Sequence, residues 1–219
     1  MASGSTRKDP LVFEYLTLRK AVGVIGVALP IVLAIGKNVT QGCGLESTVS
    51  SYYYTDVRNI FVGSLCAIGM FLKSCKGYDF ADRILGYAAA LFAIGTALAP
   101  TAPEGADSSQ LAIGKLHLTF AGLLFATFAY FSIFQFMKTS DPEKMTRKKK
   151  QRNRVYLVCG LVILGCIVAI GVYKFLGANW GIVQCEPVFW LEAIAIEAFG
   201  VSWIVKGEAI LKDEESQAA

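Results

Sequence analysis

Residues 50–59, Ser-Ser-Tyr-Tyr-Tyr-Thr-Asp-Val-Arg-Asn, gather hydroxyls, three phenol rings, an acid, a base and an amide. The apolar run 60–72 follows at once and has only thirteen residues. A spanning helix needs about 20 residues to cross ~30 Å of hydrocarbon. A helix here must therefore borrow from the polar stretch, which carries Asp56, Arg58 and Asn59 to the membrane edge. Ionisable groups at that depth are costly and usually face a bundle interior or a wet cavity. The plainer reading of the same residues is an interfacial belt, with Tyr rings at headgroup level.

Two acids, Glu192 and Glu197, fall inside the apolar run 187–205. On a straight helix they point about 140° apart, so they do not form an acid/base dyad. Glu197 is placed near mid-membrane, where an acid is a functional candidate by default and a buried structural acid otherwise. Glu192 lies nearer the outer end. The single histidine, His117, enters another apolar run at a similar level. A lone histidine is more often a hydrogen-bonded structural residue than a catalyst.

These levels suggest one outward-facing pocket built from Asp56, Arg58, Asn59, His117 and Glu192, with Tyr53 and Tyr54 as walls. Its ligand is expected to be a small polar or anionic molecule or a lipid headgroup. Arg58 is the expected contact for a carboxylate or phosphate, which its planar fork fits. The alternatives are a channel or proton-coupled transporter with Glu197 as relay, and a membrane-embedded hydrolase using Ser50 or Ser51 with His117. No Gly-x-Ser-x-Gly elbow supports the hydrolase. No catalytic residue, cofactor or metal site is assigned.

The densest charge is Arg147-Lys148-Lys149-Lys150, followed by Arg152 and Arg154. Beside a membrane, each such base contributes ~1 kcal/mol against anionic lipid. A simple topology signal explains the same residues, and nucleic acid is not an expected partner. The six cysteines form no C-x-x-C pair and lack nearby histidines, which excludes the usual zinc spacings. Cys43 and Cys185 fall in loops expected on the same, outer side, where oxidising conditions permit a disulfide. Cys66, Cys159 and Cys166 fall in apolar runs and read as small buried hydrophobes.

Placing these groups requires the spans. The chain has 219 residues, 54% of them hydrophobic and 17% charged. Soluble domains carry about 25% charged residues. The charges here are also segregated between apolar runs, which predicts an all-α, polytopic bundle forming one domain, 1–219. Six spans are expected, at about 16–35, 53–75, 82–99, 113–137, 155–176 and 187–206. With both termini cytosolic, seventeen of the 21 Lys and Arg fall on the inner side. Basic residues favour that side, and the bias alternates at every connector. Ala93/Ala97 and Gly95/Ala99 are small-x-x-x-small pairs suited to close helix packing. A secretory signal at 21–35 is less favoured than a retained first span, because the preceding segment is long and carries Tyr and Phe.

The stretch 50–59, the helix with Gly63 and Gly69, the turn Lys76-Gly77-Tyr78-Asp79, and a His-bearing fourth span ending in Tyr130 and Gln135 together resemble uncharacterised bacterial six-helix membrane proteins. More distantly, the chain is similar to the DRAM and FGF-receptor-activating-protein family of eukaryotic endomembranes. That resemblance implies six spans, cytosolic termini and a role in membrane trafficking or lipid handling. Asp56-Val57-Arg58-Asn59 stands where the family usually has Pro-Glu, so only the layout is carried over. The expected setting is a bacterial inner membrane, or a eukaryotic endomembrane or plasma membrane, with membrane lipids as partners and room for an oligomer.

Overall fold

The computed structural model describes residues 10–42, 44–74, 80–139, 145–176 and 185–211, with backbone alone for 10–13 and 81. The fold is all-α. Its helices are α1 (Pro10–Gln41), α2 (Arg58–Ser74), α3 (Phe80–Leu98), α4 (Ser108–Tyr130), α5 (Arg147–Leu176) and α6 (Pro187–Lys206). A 3₁₀ turn, Ser50–Tyr54, precedes α2, and a π turn, Phe131–Gln135, prolongs α4. α1 packs along α6, α2 along α3, and α5 along α6, so the first and last helices are neighbours.

The helices alternate in direction. At one end the Tyr54 hydroxyl donates to the Thr101 carbonyl (2.6 Å), and Val49 N–H donates to Glu192 (2.8 Å). At the other end Lys138 pairs with Asp82 (2.6 Å), and Arg152 donates to the Leu211 carbonyl (2.9 Å). These cross-chain bonds place the connectors alternately at the two ends, as an up-and-down bundle requires.

On α3, large apolar side chains face outward and small ones inward. Phe80, Ile84, Tyr87, Leu91 and Leu98 are exposed, whereas Ala89, Ala90, Ala93 and Ala97 are buried. A helix in water shows the reverse, with its large apolar stripe turned to the core. Small residues inside let backbones approach closely, which is how helices pack in lipid. Among the described residues, four segments are long and apolar enough to cross a membrane: Glu14–Gln41, Ser108–Gln135, Arg147–Phe175 and Pro187–Lys206. α2 and α3 are shorter, with 17 and 19 residues. The half of the core near the C-terminal end of α6 is aromatic. Trp203 is ringed by Phe131, Phe136 and Phe199, and Phe199 stacks on Phe128.

Several boundaries differ from the sequence expectation, each for a local reason. α1 runs through Pro30 to Gln41 rather than stopping near residue 35. The Thr40 hydroxyl returns to the Gly36 carbonyl, and the chain leaves the helix at Gly42, with φ +89°. Glycine takes that left-handed conformation without a Cβ penalty. The second helix starts at Arg58, not at residue 53, because Thr55 is extended (φ −110°, ψ 170°) and separates it from the 3₁₀ turn. α5 starts at Arg147, eight residues before the expected 155, so the basic stretch is helical rather than a loop. The Thr146 hydroxyl accepts the Lys149 N–H at its start, and Lys and Arg are good helix formers.

α4 starts at Ser108, five residues before the expected 113, because Asp107 and Gln110 form a capping box. The Asp107 carboxylate accepts N–H bonds from Ser109 and Gln110, both 2.8 Å, and Gln110 accepts the Asp107 N–H at 2.9 Å. The Gln110 and Ser109 donors hold the Asp107 carboxyl below its ordinary value of 3.8. A depressed folded value makes the cap's contribution complete above the unfolded value and lost as pH falls through the folded one. Below about pH 4, thermal stability is expected to fall more steeply in the parent chain than in Asp107→Asn, which keeps an acceptor but does not titrate. Parallel Tm–pH curves would rule the cap out as the source.

Candidate functional site

At the outer end, the groups expected to form one pocket are dispersed. Asp56, Arg58 and Asn59 are exposed. Arg58 lies 4.0 Å over the Tyr53 ring and donates to its hydroxyl. Tyr54 reaches across to the Thr101 carbonyl. The Asp56 N–H faces the Gln41 side chain at 3.4 Å. Tyr52, absent from the expected site, is fully buried and tilted against Phe189. The stretch 50–59 thus closes the outer end of the bundle. Its phenols act as packing and tethers, and Asp56 and Asn59 do not turn inward.

His117 is buried on α4, with Nδ1 2.6 Å from the Ala99 carbonyl. A carbonyl only accepts, so Nδ1 carries the proton and ties α4 to the end of α3. The Ser51 hydroxyl is bonded to Thr48 (2.7 Å), whereas His117 is bonded to the Ala99 carbonyl. Glu192 does turn inward. Its carboxylate accepts the Val49 N–H and faces Ser50 N–H at the start of the 3₁₀ turn. Beside it is a cavity of about 30 Å³, walled by Phe61, Leu65, Phe125, Phe128 and Phe199. A water needs roughly 10–15 Å³ of such space. This cavity therefore admits water and no larger ligand.

The expected Cys43–Cys185 bridge is not seen. Cys185 is an exposed free thiol, and Cys43 lies outside the described residues. A shared end of the bundle does not by itself bring two Cα atoms within the ~7 Å that a disulfide spans. Cys159 and Cys166 are buried, as expected, and Cys66 is partly so. Glu197 is partly buried and lines neither cavity described here. The polar pair deep in the bundle is instead Ser132–Ser202, at 3.1 Å, with Ser202 returning to the Phe199 carbonyl.

The larger cavity is at the opposite end. It has a volume of about 550 Å³. α1 contributes Arg19, the segment after the π turn Lys138, α5 Lys149 and Arg152, and α6 Lys206. Among the described residues Glu208 is the one acid in this lining, and Tyr156 and Thr139 add hydroxyls. The polybasic stretch is thereby divided. Lys149, Arg152 and Tyr156 follow at three- and four-residue spacings, so they share the inward face of α5. Arg147, Lys150 and Arg154 are exposed, and Lys148 is half-buried.

Local structure positions each base. The π turn ends at Gln135, and the carbonyls of Phe136 and Lys138 just after it face the lysines of the cavity. Phe136 O accepts Lys149 (3.1 Å) and Lys206 (3.3 Å), and Lys149 also reaches Lys138 O at 3.4 Å. Ammonium groups suit a helix C-terminus, where the dipole is negative. Asp82, with a side chain 1% exposed, holds Lys138. Arg152 holds the chain after α6 through Leu211. Arg19 is oriented by Tyr15, which it covers at 4.0 Å and to which it donates. Arg19, Lys138 and Lys206 were not expected in any site. They carried only the topology bias, although each lies towards the same end of a different helix.

No protein-family model matches the chain, and no curated protein or solved structure is similar enough to count as a match.

Proposed function

We propose that the chain is a multi-pass membrane protein of six spans, with both ends cytosolic, that binds an anionic lipid headgroup at its inner face. The basic cavity is the observation behind this reading. Its bases come from three helices and a connector, and they meet at the end of the bundle that carries most of the Lys and Arg. Basic pockets between spans on the cytosolic side suit anionic headgroups. Six spans are supported by the alternating directions of the helices and by the apolar outer faces of α2 and α3. At ~1.5 Å per residue those two reach about 25–28 Å, close to the ~30 Å of the hydrocarbon core. The resemblance to the DRAM and FGF-receptor-activating-protein family implies the same six-span layout, and only that layout is carried over. Transport through Glu197 has less support, because Glu197 lines neither cavity.

Mass spectrometry of lipids retained by the purified protein is expected to show anionic species enriched over the bulk membrane. The enrichment should fall in Lys149→Gln/Arg152→Gln and persist in Arg147→Gln/Arg154→Gln. Retention that follows bulk composition in all three proteins would sink the reading. For topology, cysteines introduced at Glu104 and Arg147 are expected to label from opposite sides, and labelling from one side would refute six spans.

A further inference from the structure

We infer that the bundle binds internal water where the π turn meets α6, at Gln135 and Trp203, drawn from the basic cavity and ending at the Phe128–Phe199 stack. Two buried atoms carry the inference. Gln135 is 8% exposed and Trp203 2%. Among the described residues, neither Gln135 Oε1 nor Trp203 Nε1 has a hydrogen-bond partner. In folded proteins roughly nine in ten or more of such buried groups are satisfied, by protein or by ordered water. One of these atoms only accepts and the other only donates. Water does both, so a single kind of ligand answers the two.

The neighbouring contacts supply a route. Trp203 packs edge-on against Phe136, with ring centres 5.1 Å apart. Phe136 also meets the Tyr156 ring at 5.4 Å, and the Lys206 ammonium lies 5.4 Å from its centre. Tyr156 and Lys206 both line the basic cavity. One ring therefore stands between Trp203 and the cavity wall. Gln135 directly precedes that ring. Thr139, four residues further on, lines the same cavity.

Deeper in the bundle the polar file continues for one more turn. Ser132, in the same π turn as Gln135, donates to Ser202 at 3.1 Å, and Ser202 donates to the Phe199 carbonyl at 2.7 Å. Both serines are fully buried. A hydroxyl oxygen has two acceptor lone pairs, so Ser132 can take a further bond from water. Then the file stops. Phe199 stacks on Phe128 with 3.5 Å between ring centres, and both rings wall the small cavity beside Glu192. A stacked pair of phenyl rings offers water no partner. The recess thus brings solvent from the cavity to the middle of the bundle and no further. In the dry alternative, the Trp203 N–H rests on an aromatic face and the Gln135 oxygen keeps its full desolvation penalty. The two arrangements respond differently to loss of the Gln135 acceptor.

The full-length protein in nanodiscs is exposed to millisecond X-ray radiolysis, and oxidised residues are mapped by mass spectrometry. Radiolysis makes hydroxyl radicals from bound water in place, so a buried side chain is oxidised when water lies beside it. Rates are normalised to the intrinsic reactivity of each residue type. Trp203 is expected to react at a rate close to that of Tyr156 on the cavity wall. Phe128 and Phe199, buried as deeply, should be several-fold slower. Gln135→Met keeps the length of the side chain and removes its acceptor. It should slow Trp203 oxidation several-fold, leave Tyr156 unchanged and give no rise in Tm. Trp203 as slow as Phe199 in the parent protein overturns the inference without recourse to any variant. A Gln135→Met protein with a higher Tm and unchanged Trp203 oxidation also overturns it, because that result marks a dry, unmade acceptor. Fast oxidation of Phe128 and Phe199 alongside Trp203 overturns the stack as the end of the recess.

Discussion

Replacing Gly200 with valine is expected to destabilise the bundle by more than about 3 kcal/mol. Gly200 lies where α6 crosses α1. A Cβ there would sit 2.7 Å from both the Gly23 carbonyl oxygen and the Val27 nitrogen. Both are backbone atoms of α1, so no side chain can rotate away, and the helices themselves must separate. The contact is reciprocal, because a Cβ on Gly23 would meet the Gly200 oxygen and the Ile204 nitrogen, each at 2.7 Å. Lipid supplies no hydrophobic drive between helices, so their affinity depends on this close approach. Separation would lose dispersion contacts along the whole seam. Gly165→Ala on α5 is the control. Its Cβ would meet open space. That variant should be neutral or slightly stabilising, since alanine is the better helix former. Unfolding curves for both, in the same detergent or nanodisc, make the comparison. A Gly200→Val protein as stable as its parent would mean that α1 and α6 do not meet as described.

Glu192→Leu is expected to cost about 1–3 kcal/mol and to loosen the outer end, whereas Glu192→Gln should be nearly silent. The Glu192 carboxylate is the acceptor for the buried Val49 N–H at 2.8 Å, 143 residues away in sequence. Leucine removes that acceptor and leaves an orphan donor in an apolar setting, which carries the full desolvation penalty. Glutamine keeps an oxygen in place and needs no charge. Hydrogen exchange at Val49 and Ser50, read beside the Tm, localises the effect. If Gln is as damaging as Leu, the carboxylate has a role beyond accepting this bond, and the small cavity beside it would become the place to look. If neither variant changes exchange, the tether between the outer loop and α6 is not formed.

The amino-acid sequence alone determined the architecture and the sorting of charge. Its apolar runs are as long as helices that satisfy their own backbone in hydrocarbon need to be, and that signal is local. The all-α bundle and the last span, Pro187–Lys206, follow from it directly. So does the gathering of Arg19, Lys138, Lys149, Arg152 and Lys206 at one end, since alternation puts every second connector on the same side. Boundaries were legible only where composition changes sharply. The α5 start at Arg147 was hidden because a charged helix extending beyond the apolar run reads like a loop.

Tertiary structure decided which polar residues meet. A linear sequence gives the depth of Asp56, His117 and Glu192 but not their azimuth around the bundle. Depth suggested one pocket; azimuth sent Arg58 onto Tyr53 at the surface, His117 to the Ala99 carbonyl and Glu192 to Val49. The same freedom turned Lys149 and Arg152 inward and left Arg147 and Arg154 outside. Just after the π turn, the Phe136 carbonyl draws Lys149 and Lys206 together at the basic cavity. The rotation of α5 is set by its packing against α4, the π turn and α6, where Gly160 faces Ile133 and the Ala129 carbonyl, contacts between residues separated in the chain.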